Sequence, residues 1–309
     1  MATDDHKSQS VEGFIEKFNF DPCVSELLKS IESDNERIKD LIISKYLQMP
    51  LSSREEEDVL EYFINNSVFS AATLANPATS VVTEFLYDPK AAYPIDKYFF
   101  KSKGGKAIHS RLIRVEENLH LLIEEHLKNG KVLIGNLGGG LGRDVVDVFS
   151  KYYRDNNNVA AINVDKDKNA TKRGKRIAEA GGVSNKIKFI EDSFTRYKSK
   201  EKFDIIILVG VLCSLPVETC ALILKGIKPL LAKNGSIMIS NATPRMLDDD
   251  PFTYFIMNIM GWRLIFKDEE LLKDIFDKAG FKWQRVFTDD YGFHNMAIGI
   301  KNNSFFNRF

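Results

Sequence analysis

The chemistry-bearing residues begin at 131–144, KVLIGNLGGGLGRD. Val132, Leu133 and Ile134 read as a short buried strand. A turn follows, Asn136-Leu137-Gly138-Gly139-Gly140-Leu141-Gly142, and then a helix opening on Val145 and Val146. Glycines alternate at 138, 140 and 142, and Gly139 adds a fourth. Glycine takes positive φ freely and lets a backbone come within contact distance of a ligand. The helix behind the turn would aim its N-terminus at that ligand. This is the arrangement that holds a nucleotide or nucleoside across a strand end. A lone glycine cluster also occurs as a plain strand-to-helix connection. The order of the following residues favours a ligand.

Asp165, with Lys166 beside it, ends the next strand, AAINVD, 23 residues after Gly142. A carboxylate there can accept from both ribose hydroxyls, where the plain alternative is a turn or helix-cap Asp. Asp192-Ser193-Phe194 follows IKFIED. Asp192 can accept from an exocyclic adenine amine and the Ser193 amide can meet a ring nitrogen; an ordinary turn is the alternative. The run FDIIILVGVLCSLP ends at a fourth strand edge, where Gly210 lets a reactive group approach. Cys213 lies near it, but no paired base is visible and buried cysteines are commonly inert. Arg111 and Arg114 could each pair with a ligand carboxylate or serve as a solvated helix face. On the substrate side stand Tyr98, His109, Tyr254, Trp262, Tyr291 and His294. His294 falls in the turn DDYGFHN and is a candidate base, with Tyr291 and His109 as further catalytic candidates. The apolar residues Met257, Ile259, Met260, Trp262 and Phe266 are either a substrate wall or a core helix.

The elements that must position these residues fall into two textures. Residues 11–66 show helical spacing, as in Ile38, Leu41, Ile42 and Tyr46. Ser53 and Glu56 form an expected capping box ahead of Val59, Leu60 and Phe63. Residues 67–100 are less regular, broken by Pro77, Pro89 and Pro94 and rich in aromatics, as a lid would be. A helix is expected over 107–128. From 131 onward, strands at 132–134, 159–164, 187–190, 205–209, 236–240, 282–287 and 296–300 alternate with helices at 143–153, 168–180, 217–232 and 268–279. This predicts an α/β fold with a mostly parallel sheet covered on both faces and a terminal antiparallel hairpin. The expected division is a disordered tail at 1–10, a helical cap at 11–106, the α/β domain at 107–301 and a tail at 302–309.

The 309 residues suffice for one large or two modest domains, and the 44% hydrophobic content supports a sizeable core. Lys+Arg and Asp+Glu are both 43, so no basic excess points to nucleic acid. Cys23, Cys213 and Cys220 suggest neither a disulfide framework nor a metal site. No apolar run has membrane-spanning length, and no signal peptide is visible. A cytoplasmic enzyme is expected, with the N-terminal helices as a route to a homodimer.

In order and spacing, the set resembles the class I S-adenosylmethionine-dependent methyltransferases. NLGGGLG matches their acidic-x-Gly-x-Gly-x-Gly loop, with Asn136 where an acid is usual. VD at 164–165, EDSF at 191–194, FDIIILVGVLCSLP and IKPLLAKNGSIMIS match the later motifs. The resemblance covers about residues 131–301. It implies a Rossmann-like seven-stranded sheet, an S-adenosylmethionine cofactor and a cofactor site at Asn136, Gly138, Gly139, Gly140, Gly142, Asp165, Lys166, Asp192, Ser193, Phe194, Gly210 and Arg111. The methyl acceptor would be a small, partly apolar molecule. A looser similarity links KAIHSRLIRVEENL to the Arg-bearing helix of bacterial methyltransferases related to makers of hydroxy-fatty-acid methyl esters; Arg111 matches its arginine. The Gly-Tyr-Ala-Gly-Asp block of that group is absent, and Thr79-Ser80-Val81-Val82 stands in its place. A degenerate binding module and a nicotinamide-dependent oxidoreductase are the competing readings. The lack of an Asn/Asp-Pro-Pro-aromatic signature argues against nucleic-acid methylation.

Overall fold

A computed structural model describes residues 21–88 and 91–302. The expected tail at 1–10, the first helical turns from Val11 and residues 303–309 of the expected C-terminal tail lie outside the described residues.

The second half forms one sheet of seven strands: β1 (Val132–Leu137), β2 (Val159–Asp165), β3 (Ile187–Glu191), β4 (Phe203–Leu208), β5 (Leu231–Ala242), β6 (Phe281–Thr288) and β7 (His294–Lys301). Their spatial order is β3-β2-β1-β4-β5-β7-β6. β1 to β5 pair in parallel, while β7 runs antiparallel between β5 and β6. The expected hairpin thus closes one edge. Its strand β4 shows why the sequence run is solidly apolar. Ile205 and Ile207 enter the core on one face, and Ile206 and Leu208 enter the core on the other. A strand buried on both faces has no polar side to display. β5 starts five residues earlier than the apolar pattern indicates, at Leu231, because Asn234 takes φ 63° and lets the strand pair on both sides of the Asn-Gly kink.

The first half is helical: α1 (Pro22–Ser30), α2 (Glu36–Tyr46), α3 (Ser53–Asn66), α4 (Val68–Ala75), α5 (Ser80–Tyr87), α6 (Pro94–Lys101) and α7 (Lys103–Leu127). The irregular reading of 67–100 is corrected to three short helices. Their shortness hid them: each is only two turns, too few for a clear 3.6-residue repeat, and Pro94 begins α6 where its missing N–H costs nothing. The capping box also moves by one residue. Ser52 caps α3: its backbone N–H donates to Glu55 Oε2 at 2.7 Å and its hydroxyl accepts from Glu55 N at 3.4 Å. The sequence Ser-Ser-Arg-Glu-Glu offers both registers, and the earlier one gains a helical residue.

The sheet's flanking helices are α8 (Arg143–Val148), α9 (Lys168–Ala180), α10 (Val217–Ile227) and α13 (Glu269–Ala279). The expected helix at 143–153 continues past α8 as a wider turn over Phe149–Tyr153, and the one at 217–232 stops at Ile227 because Pro229 follows. Two further helices, α11 (Arg245–Asp249) and α12 (Pro251–Ile259), leave β5 and join the N-terminal core. Phe63, Phe99 and Phe252 meet there, with ring centroids 6.0 Å apart from Phe63 to each of the others. Asp96 is 1% exposed and accepts from Ser67 Oγ and from the amides of Phe69, Ala92 and Tyr93, which ties α4 to α6. The helix α7 crosses from one core to the other. Ala107 and Ile108 pack in the N-terminal core, while Val115, Leu119, Leu122 and Ile123 pack on the sheet. Among the described residues, no helix is long and apolar enough to cross a membrane. Removing the fully buried Phe63 ring, by Phe63→Ala, is expected to lower unfolding free energy by about 3–5 kcal/mol in denaturant titration. A loss under about 1 kcal/mol would mean that the N-terminal helices are not packed as described.

Candidate functional site

The glycine loop stands on two buried amides. Asn136 and Asn163 are register partners on β1 and β2. Asn136 Nδ2 donates to Asn163 Oδ1 at 2.8 Å, and Asn163 Nδ2 donates to Gly140 O at 3.1 Å. At the loop's crest Gly138 and Gly140 have φ of 68° and 52°. A Cβ on Gly140 would lie 2.7 Å from Ser80 Cβ, and one on Gly138 would lie 2.7 Å from a Val211 methyl. Side chains are excluded from both positions by φ and by space. The Gly140 amide donates to Asp165 Oδ2 at 2.7 Å, and the Asp167 amide donates to Oδ1 at 2.8 Å. The carboxylate that ends β2 is therefore aimed at the loop.

Over this loop lies a cavity of about 410 Å³. The ends of β1, β2, β4 and β5 form its floor, and α5, α7 and α12 form its walls. Of the residues named from sequence, Gly138, Gly139, Gly140, Asp165, Lys166, Ser193, Phe194, Gly210, Arg111 and His294 line it together, as do Cys213, Met257 and Trp262. Asn136, Gly142, Asp192, His109 and Tyr291 do not. Asn136 is 1% exposed and sits beneath the loop, bonded to Asn163. Gly142 caps α8 with φ 74°. Asp192 is half-buried just past β3, where its carboxylate accepts from the Ser193 amide at 2.7 Å. His109 is exposed on α7. Tyr291 packs against Phe293, and its amide donates to Asp289. Tyr98 is buried in the N-terminal core against Thr253, and Tyr254 packs on Phe266. Ile259, Met260 and Phe266 also belong to that core, so the apolar stretch is half wall and half core.

The two arginines separate clearly. Arg114 is at the surface, paired with Asp290 and Glu117. Arg111 is 5% exposed, and its only described side-chain hydrogen bond runs from Nη2 to Tyr87 OH at 3.3 Å. Its Nε is buried with no partner, and its Nη atoms lie 4.0 Å from where a Gly210 Cβ would be. A buried guanidinium with an unused N–H is costly unless an anion meets it. His294 is corrected in place. It opens β7 and is buried, because Ala242 of β5 pairs with it across the sheet. Burial pushes the Cys213 thiol up despite Arg111 and Lys267, which leaves it a poor nucleophile.

Several site residues gave no signal in the sequence. Tyr87 and Ser80 reach the cavity from α5, whose two turns were not legible. Asp144 lies in the first turn of α8 and lines the cavity; burial pushes its carboxyl up to about 6 while Arg111 and Arg143 pull it down. Lys267 is fully buried and donates to Leu212 O, Ile265 O and Asn241 Oδ1 at 3.0–3.2 Å, which pins the loop after β4 to the end of β5. Its position between Phe266 and Asp268 has no motif to mark it.

The family model for the methyltransferase domain matches residues 127–288, more than half of the chain. The chain belongs to the methyltransferase domain family. No curated protein matches it. Among solved structures, a "possible exported protein" from Bordetella parapertussis is similar at TM-score 0.65 and 14% identity, over 91% of this chain and 97% of that one. Magnesium protoporphyrin IX methyltransferase from Synechocystis PCC 6803 is similar in two structures. The one with bound SAH gives TM-score 0.53 at 14% identity, covering 71% and 92% of the two chains. The one with bound SAM gives 0.50 at 13%, covering 73% and 97%. At such identities the likeness is one of fold. The methyltransferase fold and the family together exclude the oxidoreductase reading.

Behind the cavity, Glu116 of α7 faces Asp144 and Asp147 of α8. Burial and these two carboxylates push its carboxyl up to about 8. Its folded pKa is raised, so the native state binds more protons than the unfolded state between the ordinary Glu pKa and about 8. Stability should therefore fall as pH rises through that window. In the Glu116→Gln methyltransferase the decline of Tm from pH 5 to pH 8 should be shallower than in the wild type; parallel curves would show that Glu116 is not strained.

Proposed function

We propose that this methyltransferase binds S-adenosylmethionine along the glycine loop and transfers its methyl group to the oxygen or nitrogen of a small, partly apolar molecule. The carrying observation is that one continuous cavity joins a glycine crest and an Asp165 carboxylate at one end to an apolar wall at the other. The residues present fit the cofactor. Gly138 and Gly140 present bare backbone at the cavity, each at a positive φ and closely packed by Val211 and Ser80, and Arg111 offers a buried N–H with no partner. Asp165 would accept from the ribose hydroxyls, and Ser193 and Phe194 would flank the adenine. Arg111 would pair with the amino-acid carboxylate beside Gly210. When bound, S-adenosylmethionine supplies a methyl group activated by its sulfonium.

The chain's own contribution is alignment. The loop is fixed by Asn163 and Asp165 before a ligand arrives, and α5, α7 and α12 wall the site where the acceptor would lie. Ile108, Met246, Met257, Trp262 and Leu264 give the acceptor an apolar seat beyond Gly210. All three thiols are free, which supports a reducing cytoplasm as the location.

Calorimetric titration with S-adenosylmethionine and S-adenosylhomocysteine tests the reading, with NAD as control. Gly140→Val should abolish binding of the first two with the far-UV spectrum unchanged. Asp165→Ala should weaken it by roughly 1–3 kcal/mol, the scale of charge-assisted hydrogen bonds. Wild-type affinity in Gly140→Val would refute the loop assignment. No binding by the wild type would favour a degenerate module.

A further inference from the structure

We infer that His294, held by Asp289, is the general base of the transfer, and that the acceptor is a flat, apolar hydroxyl compound of phenol type. This deepens the reading above and rests on S-adenosylmethionine occupying the loop end of the cavity.

The geometry of the pair carries the inference. His294 is buried yet lines the cavity, and its Nδ1 lies 3.1 Å from Asp289 Oδ2. Asp289 is 2% exposed and is itself fixed in the turn between β6 and β7, where it accepts from the amides of Tyr291 and His294 at 2.8 and 2.5 Å. A carboxylate so anchored holds the ring with its proton on Nδ1 and leaves Nε2 as the acceptor nitrogen. Burial and Arg111 favour the neutral ring, against the pull of Asp289, so the Nε2 lone pair is available. Asp289 closes the turn through the two amides, and β7 is paired on both sides here by β5 and β6, so the further contact to the His294 ring is not what holds the hairpin.

The surroundings define the acceptor. Ile108, Met246, Met257, Trp262 and Leu264 line the same cavity and offer an apolar seat that includes one indole ring. A protonated amine would have to shed its charge before entering an apolar seat of this kind. A carboxylate acceptor needs no base and would leave the dyad without a task. A phenolic hydroxyl needs its proton removed and brings a ring for the Trp262 side of the cavity. In the step, the hydroxyl proton passes to Nε2 as the oxygen bonds to the methyl carbon. The methyl–sulfur bond breaks with its electron pair left on sulfur, and Asp289 steadies the imidazolium until it returns the proton to water.

The test uses the full chain saturated with S-adenosylhomocysteine and 4-nitrophenol as probe, whose yellow phenolate reports deprotonation without turnover. Saturation is first confirmed by calorimetry; failure there strikes the cofactor reading and not the base. At a pH slightly below the probe's own pKa, bound probe should be yellower than free probe, and ¹⁵N spectra should show a larger imidazolium fraction at His294 with the probe than without it. His294→Gln should bind the probe but lose at least tenfold of the colour. Asp289→Asn should keep probe binding while the imidazole loses its single Nδ1–H tautomer. Absence of probe binding in the saturated wild type would overturn the acceptor class. Full colour in His294→Gln, or an imidazole signal unchanged by the probe in the wild type, would overturn the base.

Discussion

Two carboxamides buried side by side under the glycine loop are the constraint on which the site depends. Asn136 and Asn163 bond to each other across β1 and β2, and the second then holds the Gly140 carbonyl. An ideal Cβ on Gly139 would fall 2.2 Å from Asn163 Oδ1, so the loop can settle on this pair only as bare backbone. The pair is fully buried and uncharged, which avoids the cost of an unpaired buried carboxylate. Because the loop is fixed from below, the Gly140 amide meets Asp165 at a set height, and the whole cofactor end of the cavity follows from that height.

The second half of the fold was legible in the sequence because its strands are buried on both faces. Runs such as Ile205-Ile206-Ile207-Leu208 admit few other readings, and glycine turns mark their ends. The first half was less legible. Helices α4, α5 and α6 are eight residues each, too short for periodicity to speak, and their packing depends on Asp96 receiving four distant donors. In the site, the main-chain-derived parts were visible: the glycine crest, Asp165 and Gly210. The parts supplied by distant chain segments were not. Asp289 looks like one of two acids in a turn until β7 places His294 beside it. Asn136 occupies a position where sequence alone suggests ligand contact, and only its neighbour across the sheet shows that it faces inward.

Arginine 111 unites these halves. It rides on α7, the helix that packs into the N-terminal core at Ala107 and Ile108 and onto the sheet from Val115. Its guanidinium sits between Tyr87 of α5 and the end of β4 at Gly210, so neither core alone would define it. The fold commits a buried charge at the seam of two packing units, with the Asp144 carboxylate of α8 and the Tyr87 hydroxyl as its neighbours.

The shared helix also sets the walls of the cavity apart. The Gly104 amide, at the head of α7, donates to Asp250 at 2.8 Å, which fastens α7 to the start of α12. Of these two walls, α7 is anchored in both cores and α12 in the N-terminal one. By contrast α5 is two turns long, begins just after Ala78 at φ 57° and meets the sheet side through the Glu84–Arg173 ion pair and Tyr87. The third wall of the cavity is thus an eight-residue helix hung on the same tyrosine that touches Arg111.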